Sequence, residues 1–272
     1  MNTPLRTLPD TLRQARKATR LSQLELSMRV GVSQRHVSFV ENGRARPSRE
    51  LLLSWLRELN APLATRNAAL LQAGYAPVYG AQPFGDPALA QANDALIQLL
   101  QAHDPMPALL LDAHWNLLHV NSGGQWLAAT LMPWLAGQPA GSAMNLLDLL
   151  LHAEGFTRHM VNLHEVGPAL LAHLRQDAAV QPQLTRKVED FAALLRDRLG
   201  EEQSQAGWSP PGPPVLTSRF STAHGELAFF SMFTTFGTPQ NITLASLRVE
   251  HMFAADEATR AVLEAQVPAA GS

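Results

Sequence analysis

The sequence predicts two domains of different class, an all-α N-terminal domain and a larger α+β C-terminal domain. Helix-capping signals recur before residue 75, Gly and Pro accumulate over residues 74–87, and strand-like segments occur only after this stretch, near residues 108–120 and 225–250. The chain of 272 residues is long enough to build two hydrophobic cores. The predicted organisation is a first domain over residues 1–76, a linker with a connecting helix over residues 77–104, and a second domain over residues 105–268.

Charge is distributed unequally between these two domains. Residues 1–75 contain twelve Arg or Lys against five Asp or Glu, whereas the remainder contains nine against eighteen. Because phosphate neutralisation supplies most of the non-specific affinity for nucleic acids, a basic module of this kind is typical of a polyanion-binding domain. A basic face that is merely solvated is the alternative on charge alone.

The composition is that of an ordinary globular protein, with 46% hydrophobic and 16% charged residues. The apolar run Leu146–Leu151 is interrupted by Asp148, and the N-terminal segment lacks the apolar core of a signal peptide. We therefore expect a cytoplasmic protein without a membrane span. The absence of cysteine excludes disulfides and thiolate metal sites.

The first domain contains two neighbouring helices with clear start signals. Ser22 and Glu25 form a capping-box pattern, in which the Ser hydroxyl accepts a backbone N–H while the Glu side chain reaches back to the cap. Gly31 permits a sharp turn, and Ser33 caps the next helix, which runs to Asn42. The remaining helices of this domain are predicted from Pro9 to Ala18, near residues 49–59 and near residues 62–73.

From Ser22 onward the sequence reads S-Q-x-E-L, then G-V-S, then V-S-x-x-E-N-G-x-x-x-P, ending at Pro47. This order resembles the phage-repressor-like, or XRE-type, helix-turn-helix family. The resemblance implies an all-α helix-turn-helix domain whose recognition helix, capped by Ser33, enters the major groove of a double-stranded DNA operator.

The recognition helix would present polar side chains on the surface left by its buried valines. Gln34 is suited to adenine, Arg35 to guanine, and Phe39 to a thymine methyl group. Arg35 as a solvated surface charge is the structural alternative. The full set of predicted DNA-binding residues is Gln23, Ser33, Gln34, Arg35, Ser38, Phe39, Asn42, Arg44 and Arg46.

Phosphate contacts are expected beside the recognition helix. The family resemblance implies that Gln23, at the start of the second helix, holds a phosphate with help from the helix dipole. Arg44 and Arg46 would extend the phosphate track. Asn42 as a helix-end residue and Glu41 as an intradomain polar anchor are the structural alternatives.

The second domain is expected to combine a sheet with covering helices, which is an α+β layer. The order of its elements supports this, because strand signals flank a helical middle. The predicted elements are a helix at Asp86–Ala102, strands at Ala108–Asp112 and Trp115–Val120, helices over residues 122–199, and strands at Gly225–Phe236 and Asn241–Glu250.

This arrangement looks like a PAS-type sensor domain. The segments Asn145–His152, Thr234–Gln240 and Phe253–Thr259 resemble the MmyB-like regulator family, and the likeness spans nearly the whole chain. Leu163 follows Asn162 where the family is expected to carry a tryptophan, a departure that would alter the pocket there. The resemblance implies a PAS-like ligand-binding domain, with fatty-acid-like molecules as the leading ligands.

Apolar side chains fall on both faces of the strand that begins at Gly225, so one face is expected to border a cavity or a partner. Met232 and the aromatic rings would form an adaptable apolar pocket, and Arg158 could meet a ligand carboxylate. Ordinary core packing, and an exposed helix charge at Arg158, are the alternatives. The predicted ligand-binding residues are Trp115, Trp126, Phe156, Arg158, Met160, Phe230 and Met232.

Signals of catalysis are missing from the sequence. The histidine pairs His114/His119 and His159/His164 are five residues apart and no HExxH motif accompanies them. No nucleophile elbow or P-loop is present. We therefore expect no enzyme activity, metal or cofactor.

The function predicted from these observations is sequence-specific DNA binding by a dimeric regulator, modulated by a small apolar ligand. Dimerisation is expected because paired recognition helices double the readout at two half-sites. The alternative is a second domain that only dimerises or recruits a protein partner.

Overall fold

The computed structural model describes residues 7–139, 141–201 and 215–267. The chain divides into two compact units. The first reaches Pro83 and takes in Thr238–Ala245, whereas the second begins at Phe84, runs to Gly237 and resumes at Ser246. The outer domain limits predicted at residues 1 and 268 lie outside the described residues.

The first unit is helical, as predicted. Its buried side chains come from each of the five helices between residues 8 and 72 and form one core, with Trp55 completely enclosed. Each fully buried aliphatic side chain in such a core contributes about 1.5–3 kcal/mol to folding. The helices of its described N-terminal part are α1 (Leu8–Ala18), α2 (Gln23–Val30), α3 (Gln34–Glu41), α4 (Arg49–Glu58) and α5 (Leu63–Gln72).

Helices α2 and α3 begin at the expected caps. The Ser22 hydroxyl accepts the backbone N–H of Glu25 at 3.1 Å, and the Glu25 carboxylate accepts the N–H of Ser22 at 2.8 Å. The Ser33 hydroxyl accepts the N–H of His36 at 3.2 Å. Gly31 ends α2 with φ at 71°, in the left-handed region that costs glycine little. The capping box and the helix-turn-helix geometry predicted from the sequence are confirmed.

The second unit is built on a six-stranded antiparallel sheet in the order β3-β2-β1-β6-β5-β4. Its strands are β1 (Ala108–Leu111), β2 (Asn116–Val120), β3 (Met144–Asn145), β4 (Ser218–Thr222), β5 (Gly225–Thr234) and β6 (Arg248–Ala254). The described helices that follow α5 are α6 (Ala90–Gln101), α7 (Ser122–Leu131), α8 (Leu146–Leu151), α9 (Phe156–His159), α10 (Leu163–Val180), α11 (Thr185–Leu199), α12 (Ile242–Ser246) and α13 (Glu257–Gln266). The predicted α+β class is confirmed.

The last strand lies later in the chain than predicted. The prediction of a strand over Asn241–Glu250 is wrong in its first half, where Ile242–Ser246 forms the short helix α12. The Asn241 side chain accepts the N–H of Leu244 at 3.2 Å, so a side-chain cap outcompetes a strand there. Strand β6 pairs with β5 from Phe229 opposite Ala254 to Thr234 opposite Val249.

The two edge strands, β3 and β4, have no counterpart in the sequence prediction, which placed β3 within a helical region over residues 122–199. Strand β4 is the longer of the two. Its residues are mostly polar, and Phe220 is its one buried residue. A five-residue strand with one buried apolar residue shows no repeated hydrophobic alternation that could predict it. Its pairing with β5 therefore decides its conformation.

The segment Thr238–Ala245, between β5 and β6, belongs to the first unit. The backbone N–H of Ile242 donates to the Gly80 carbonyl at 2.7 Å, and the Thr243 hydroxyl donates to the Gln82 carbonyl at 2.6 Å. The chain therefore leaves the sheet at the end of β5 and returns to it at β6.

The core of the second unit lies against one face of the sheet. Leu109, Leu111, Leu227 and Phe229 point to this face from two strands, β1 and β5, and are at most 9% exposed. Helices α8, α10 and α11 supply the opposing apolar side chains. Within the described residues, no helix is long and apolar enough to cross a membrane.

Candidate functional site

Helix α3 shows one buried and one accessible face. Val37 and Val40 are buried, whereas Gln34 and Arg35 are exposed on the opposite side. The Arg35 guanidinium lies 5.1 Å from the centre of the Phe39 ring, which holds this long side chain along the helix surface. The accessible face therefore offers two side chains that can each form two hydrogen bonds with a base edge, and one aromatic ring.

The end of α3 is anchored by a buried ion pair. Glu41 is 1% exposed, and its carboxylate accepts two hydrogen bonds from the Arg16 guanidinium, at 2.7 and 2.8 Å. The Arg13 guanidinium also donates to the Glu41 backbone carbonyl. Because α1 carries both arginines, these contacts set the orientation of α3 against α1.

Opposing effects act on the pKa of Glu41. Burial raises this pKa. Hydrogen bonds from Arg16 and Gln23, together with the positive charges of Arg16 and Arg13, lower it by more, so that the pKa of Glu41 lies below its ordinary value. The same hydrogen bonds raise the pKa of Arg16. Both groups are therefore charged at neutral pH.

Gln23 lies at the first position of α2, where the backbone N–H groups of a helix start attract anions. Its side-chain amide donates to the Glu41 carboxylate at 2.8 Å. Gln23 thus connects the start of α2 to the end of α3. The contact orients the residue that the family resemblance assigns to a phosphate.

Two of the predicted DNA-binding residues make helix-terminal hydrogen bonds. Ser33 caps the start of α3 through its hydroxyl. The Asn42 amide donates to the backbone carbonyl of Ser38 at 2.8 Å and to its hydroxyl at 3.3 Å. Both residues remain exposed at the two ends of the helix.

The two arginines after α3 differ in their surroundings. Arg44 is exposed. The Arg46 guanidinium donates to the Ala73 carbonyl at the end of α5 and lies 5.5 Å from the centre of the Tyr75 ring. Gly74 lies beside it with φ at 73°, in the left-handed region that favours glycine. Arg46 therefore ties the loop after α3 to α5.

The second unit contains an apolar cavity of about 520 Å³ between the sheet and helices α8 to α10. Its volume is within the range of small-molecule sites. Four of its described lining residues have side chains ending in a hydroxyl, carboxyl or imidazole group, namely His173, Ser218, Ser231 and Glu250. The others are apolar or aromatic, which makes the cavity suited to an aliphatic or aromatic molecule.

Five of the seven predicted ligand-binding residues border this cavity, namely Trp115, Phe156, Met160, Phe230 and Met232. Phe230 and Met232 alternate with Ser231 and Phe233 along β5, so their side chains take the opposite face of the sheet, where Phe230 stacks on Phe253. Arg158 lies instead at a separate open cleft with His164 and Arg198. Trp126 packs against the core and lies 5.4 Å from the ring of His224, outside the lining. Leu163, the departure from the family pattern, is buried at the cleft of Arg158.

The cavity also contains polar residues that the sequence analysis missed. Glu250 comes from β6, Ser231 from β5 and His173 from α10. Glu250 and Ser231 lie within predicted strands, but only strand register shows which face each of them takes. His173 lies within a long helix whose apolar pattern gave no reason to single it out.

Burial raises the pKa of Glu250, against the lowering effects of a hydrogen bond from Ser231 and of the positive charge of Arg248. The Arg248 guanidinium donates to Asp177 at 2.9 Å through Nη1 and lies 3.9 Å from the centre of the Trp115 ring. Its Nε and Nη2 atoms are buried and have no hydrogen-bond partner among the described residues.

A metal site is not found in the part of the chain that the structure describes, where no three His, Cys, Asp or Glu side chains are grouped suitably. The two candidate sites are the accessible face of α3, which is suited to DNA, and the apolar cavity of the second unit.

Two family models match the chain. A helix-turn-helix model matches residues 12–65, and the model of the MmyB-like transcription regulator ligand binding domain matches residues 92–265. The fold and the matches define a DNA-binding helix-turn-helix transcription regulator with a ligand-binding domain. The second match covers more than half of the chain, and the chain belongs to the MmyB-like transcription regulators. The family resemblances recognised in the sequence are confirmed. None of the curated proteins compared with the chain matches it.

Proposed function

We propose that this regulator binds a small, fatty-acid-like amphiphile in the cavity of its second unit and that occupancy changes its affinity for a DNA operator. The observation that carries the proposal is the cavity of about 520 Å³, with aliphatic and aromatic walls and few polar groups. Removal of such apolar surface from water by an aliphatic chain provides the binding free energy.

Operator reading is assigned to the accessible face of α3. Gln34 and Arg35 would hydrogen-bond to base edges, and Phe39 would contact a thymine methyl group. Ser38 is partly accessible on the same helix. The family resemblance assigns Gln23 to a phosphate, and the exposed Arg44 is placed to contact another. Ser33 and Asn42, at the two ends of α3, are proposed to contact the backbone there.

The proposed active form is a homodimer in the cytoplasm. Two copies of α3 would then read two half-sites separated by about 34 Å, one turn of DNA. A ligand can shift operator affinity only if it binds the two states of the protein with different affinities. Chain continuity supports such coupling, since β5 lines the cavity and is separated by three residues, 235–237, from Thr238–Ala245 of the first unit.

The test is native mass spectrometry of the gently purified full chain, followed by operator binding. A co-purifying aliphatic compound supports the proposal, provided that its removal changes affinity for a duplex selected from a random library. A repeatedly empty protein whose operator affinity ignores aliphatic compounds would favour the alternative, in which the second unit serves only dimerisation or a protein partner.

A further inference from the structure

Two buried nitrogen atoms of Arg248 lie next to the wall of the apolar cavity. The Arg248 guanidinium is held by the Asp177 carboxylate, which accepts a hydrogen bond from Nη1 at 2.9 Å. Its central carbon lies 3.9 Å from the centre of the Trp115 ring and 5.6 Å from that of Phe233, and both rings line the cavity. The Nε and Nη2 atoms are buried and have no hydrogen-bond partner among the described residues. We call these two atoms the unpaired edge of Arg248.

The shape of a guanidinium favours one kind of partner at this edge. The Nε–H bond and one N–H bond of Nη2 are parallel and lie in one plane, whereas Asp177 is bound at Nη1. A carboxylate matches such an edge with two parallel hydrogen bonds. Since a buried and charged N–H group without a partner is costly, a carboxylate that reaches the edge gains a strong interaction.

His173 provides a third polar atom beside the same two rings. It lies four residues before Asp177 on α10, so both side chains leave the same face of the helix. The His173 ring is 6.0 Å from the ring of Trp115 and 5.9 Å from that of Phe233. Its buried Nε2 atom has no hydrogen-bond partner among the described residues. In the tautomer protonated at Nε2, His173 can donate to an anion bound at this place.

The neighbouring acid, Glu250, is not paired with the unpaired edge of Arg248. Its carboxyl group hydrogen-bonds with Ser231, and the described ion pair of Arg248 is with Asp177. Burial raises the pKa of Glu250, against the lowering effects of the Ser231 hydrogen bond and of the Arg248 charge. A raised pKa favours the uncharged carboxyl group, which does not repel a ligand anion.

The Phe233 ring controls access to Arg248 from the cavity. Phe233 is among the described lining residues, whereas Arg248 is not. Trp115, on the other side of the guanidinium, is 2% exposed and therefore fixed, but Phe233 is 42% exposed. Exposed side chains change rotamer on a fast timescale. Displacement of this one ring would bring the unpaired edge into contact with a ligand.

We propose that Arg248 anchors the carboxylate head group of the ligand through its Nε and Nη2 atoms, with His173 as an additional donor, once Phe233 has moved aside. This inference rests on the proposed function and identifies the residue that holds the ligand there. Arg248 then has the role that the sequence analysis considered for Arg158, which lies at the separate cleft. The aliphatic chain lies along the apolar walls of the cavity.

The test is isothermal titration of the delipidated full chain with decanoate and with decanol at neutral pH. These probes have the same chain length and differ in the head group. Decanoate should bind at least about tenfold more tightly than decanol. Arg248→Lys keeps a positive charge near Asp177 but lacks the two-pronged edge, so decanoate should bind about tenfold more weakly while decanol binding stays unchanged.

Arg158→Lys is the matched control, because it makes the same replacement at the separate cleft. This variant should bind both probes as the wild type does. His173→Phe retains an aromatic ring without Nε2 and should weaken decanoate binding about threefold. Unchanged decanoate affinity in His173→Phe would exclude His173 from the contact.

A second measurement uses the wild type, in case Arg248→Lys fails to fold. The Nε–H resonance of Arg248 in a nitrogen-15 nuclear magnetic resonance spectrum should shift when decanoate is added and stay in place with decanol. A resonance that responds to neither probe, although both bind, would show that the head group lies elsewhere.

The outcomes separate the two proposals. If the wild type binds the two probes equally, or if Arg248→Lys binds decanoate no more weakly than Arg158→Lys does, the role of Arg248 is overturned while ligand binding stands. If neither probe binds to the wild type and no aliphatic compound co-purifies, the proposed ligand function itself fails.

Discussion

Arg16 and Glu41 form a two-pronged ion pair with N–O distances of 2.7 and 2.8 Å, joining the first helix of the chain to the end of the helix assigned to operator reading. The Arg16 side chain is 11% exposed and that of Glu41 1%. Removal of one partner leaves a buried charge without its counter-charge, which is far more costly than the loss of a surface ion pair.

Arg16→Ala should therefore lower the free energy of unfolding by about 3–5 kcal/mol. Chemical denaturation followed by circular dichroism measures this loss. Arg57→Ala, which removes an exposed arginine from α4, should change stability by less than about 0.5 kcal/mol. Similar losses in the two variants would show that the Arg16 contact has no special energetic role.

The same ion pair predicts a pH dependence. The pKa of Glu41 in the folded protein lies below its ordinary value of 4.5, so the folded state binds the proton more weakly than the unfolded state. The stability from this group is present above about pH 4.5 and is lost as the pH falls through the lower, folded-state pKa. Glu41→Gln should flatten that part of the stability profile, although the variant is less stable at neutral pH.

Arg35→Ala should reduce affinity for the selected operator by about 1–3 kcal/mol and relax the preference at one base position. The reason is the loss of a two-pronged contact with guanine. Fluorescence anisotropy against the operator and its single-base variants measures both effects. An equal loss of affinity for every duplex would instead identify Arg35 as a phosphate contact.

Gln23→Ala should weaken binding to all duplexes alike, because its assigned partner is a phosphate. The substitution also removes the hydrogen bond to Glu41, so stability has to be measured in parallel. Uniformly weaker binding at temperatures well below the unfolding transition supports the phosphate assignment. A change in base preference contradicts it.

Arg44 and Arg46 should behave differently when each is replaced by alanine. Arg44 is exposed, and its loss should make the negative slope of log affinity against log salt concentration shallower by about 1. Arg46 is bound to the end of α5, so its loss should lower stability by about 1 kcal/mol and change the salt slope less. Equal reductions of the salt slope would show that Arg46 leaves Ala73 to contact DNA.

Asn121→Ala should destabilise the second unit by about 2–4 kcal/mol. The buried Asn121 side chain accepts the N–H groups of Ala108 and Gly124 and donates to the carbonyls of Leu100 and Met106. Its loss leaves several buried backbone groups without partners. Thermal unfolding measures the effect, and Gln101→Ala, at an exposed position of α6, is the control with little expected change.

Local sequence signals predicted the first unit well because its structure depends on short-range chemistry. The capping hydrogen bonds of Ser22, Glu25 and Ser33 each join residues three positions apart. The helical spacing of apolar residues identifies the face of each helix that packs in the core. The same argument predicted which face of α3 is accessible. It could not show that Arg46 is engaged by Ala73, because that contact spans 27 residues of chain.

The second unit was predicted less completely. The strand pair β1–β2 was foreseen, whereas β3 and β4 were missed and the start of β6 was placed too early. Gly123 had no assigned role in the sequence, yet a Cβ there would lie 2.2 Å from the Pro105 carbonyl oxygen, so the close approach of α7 requires glycine. Contacts of this kind depend on chain segments that meet only after folding.

By itself, the sequence determined the class of the protein, the helix-turn-helix unit, the exposed residues of α3 and the aromatic walls of the second unit. These features follow from local periodicity, capping and composition. Only the tertiary structure decided that Glu250, Ser231 and His173 meet in one cavity while Arg158 lies elsewhere. The physical reason is strand register, since a shift of one residue would turn Glu250 to the opposite face of the sheet.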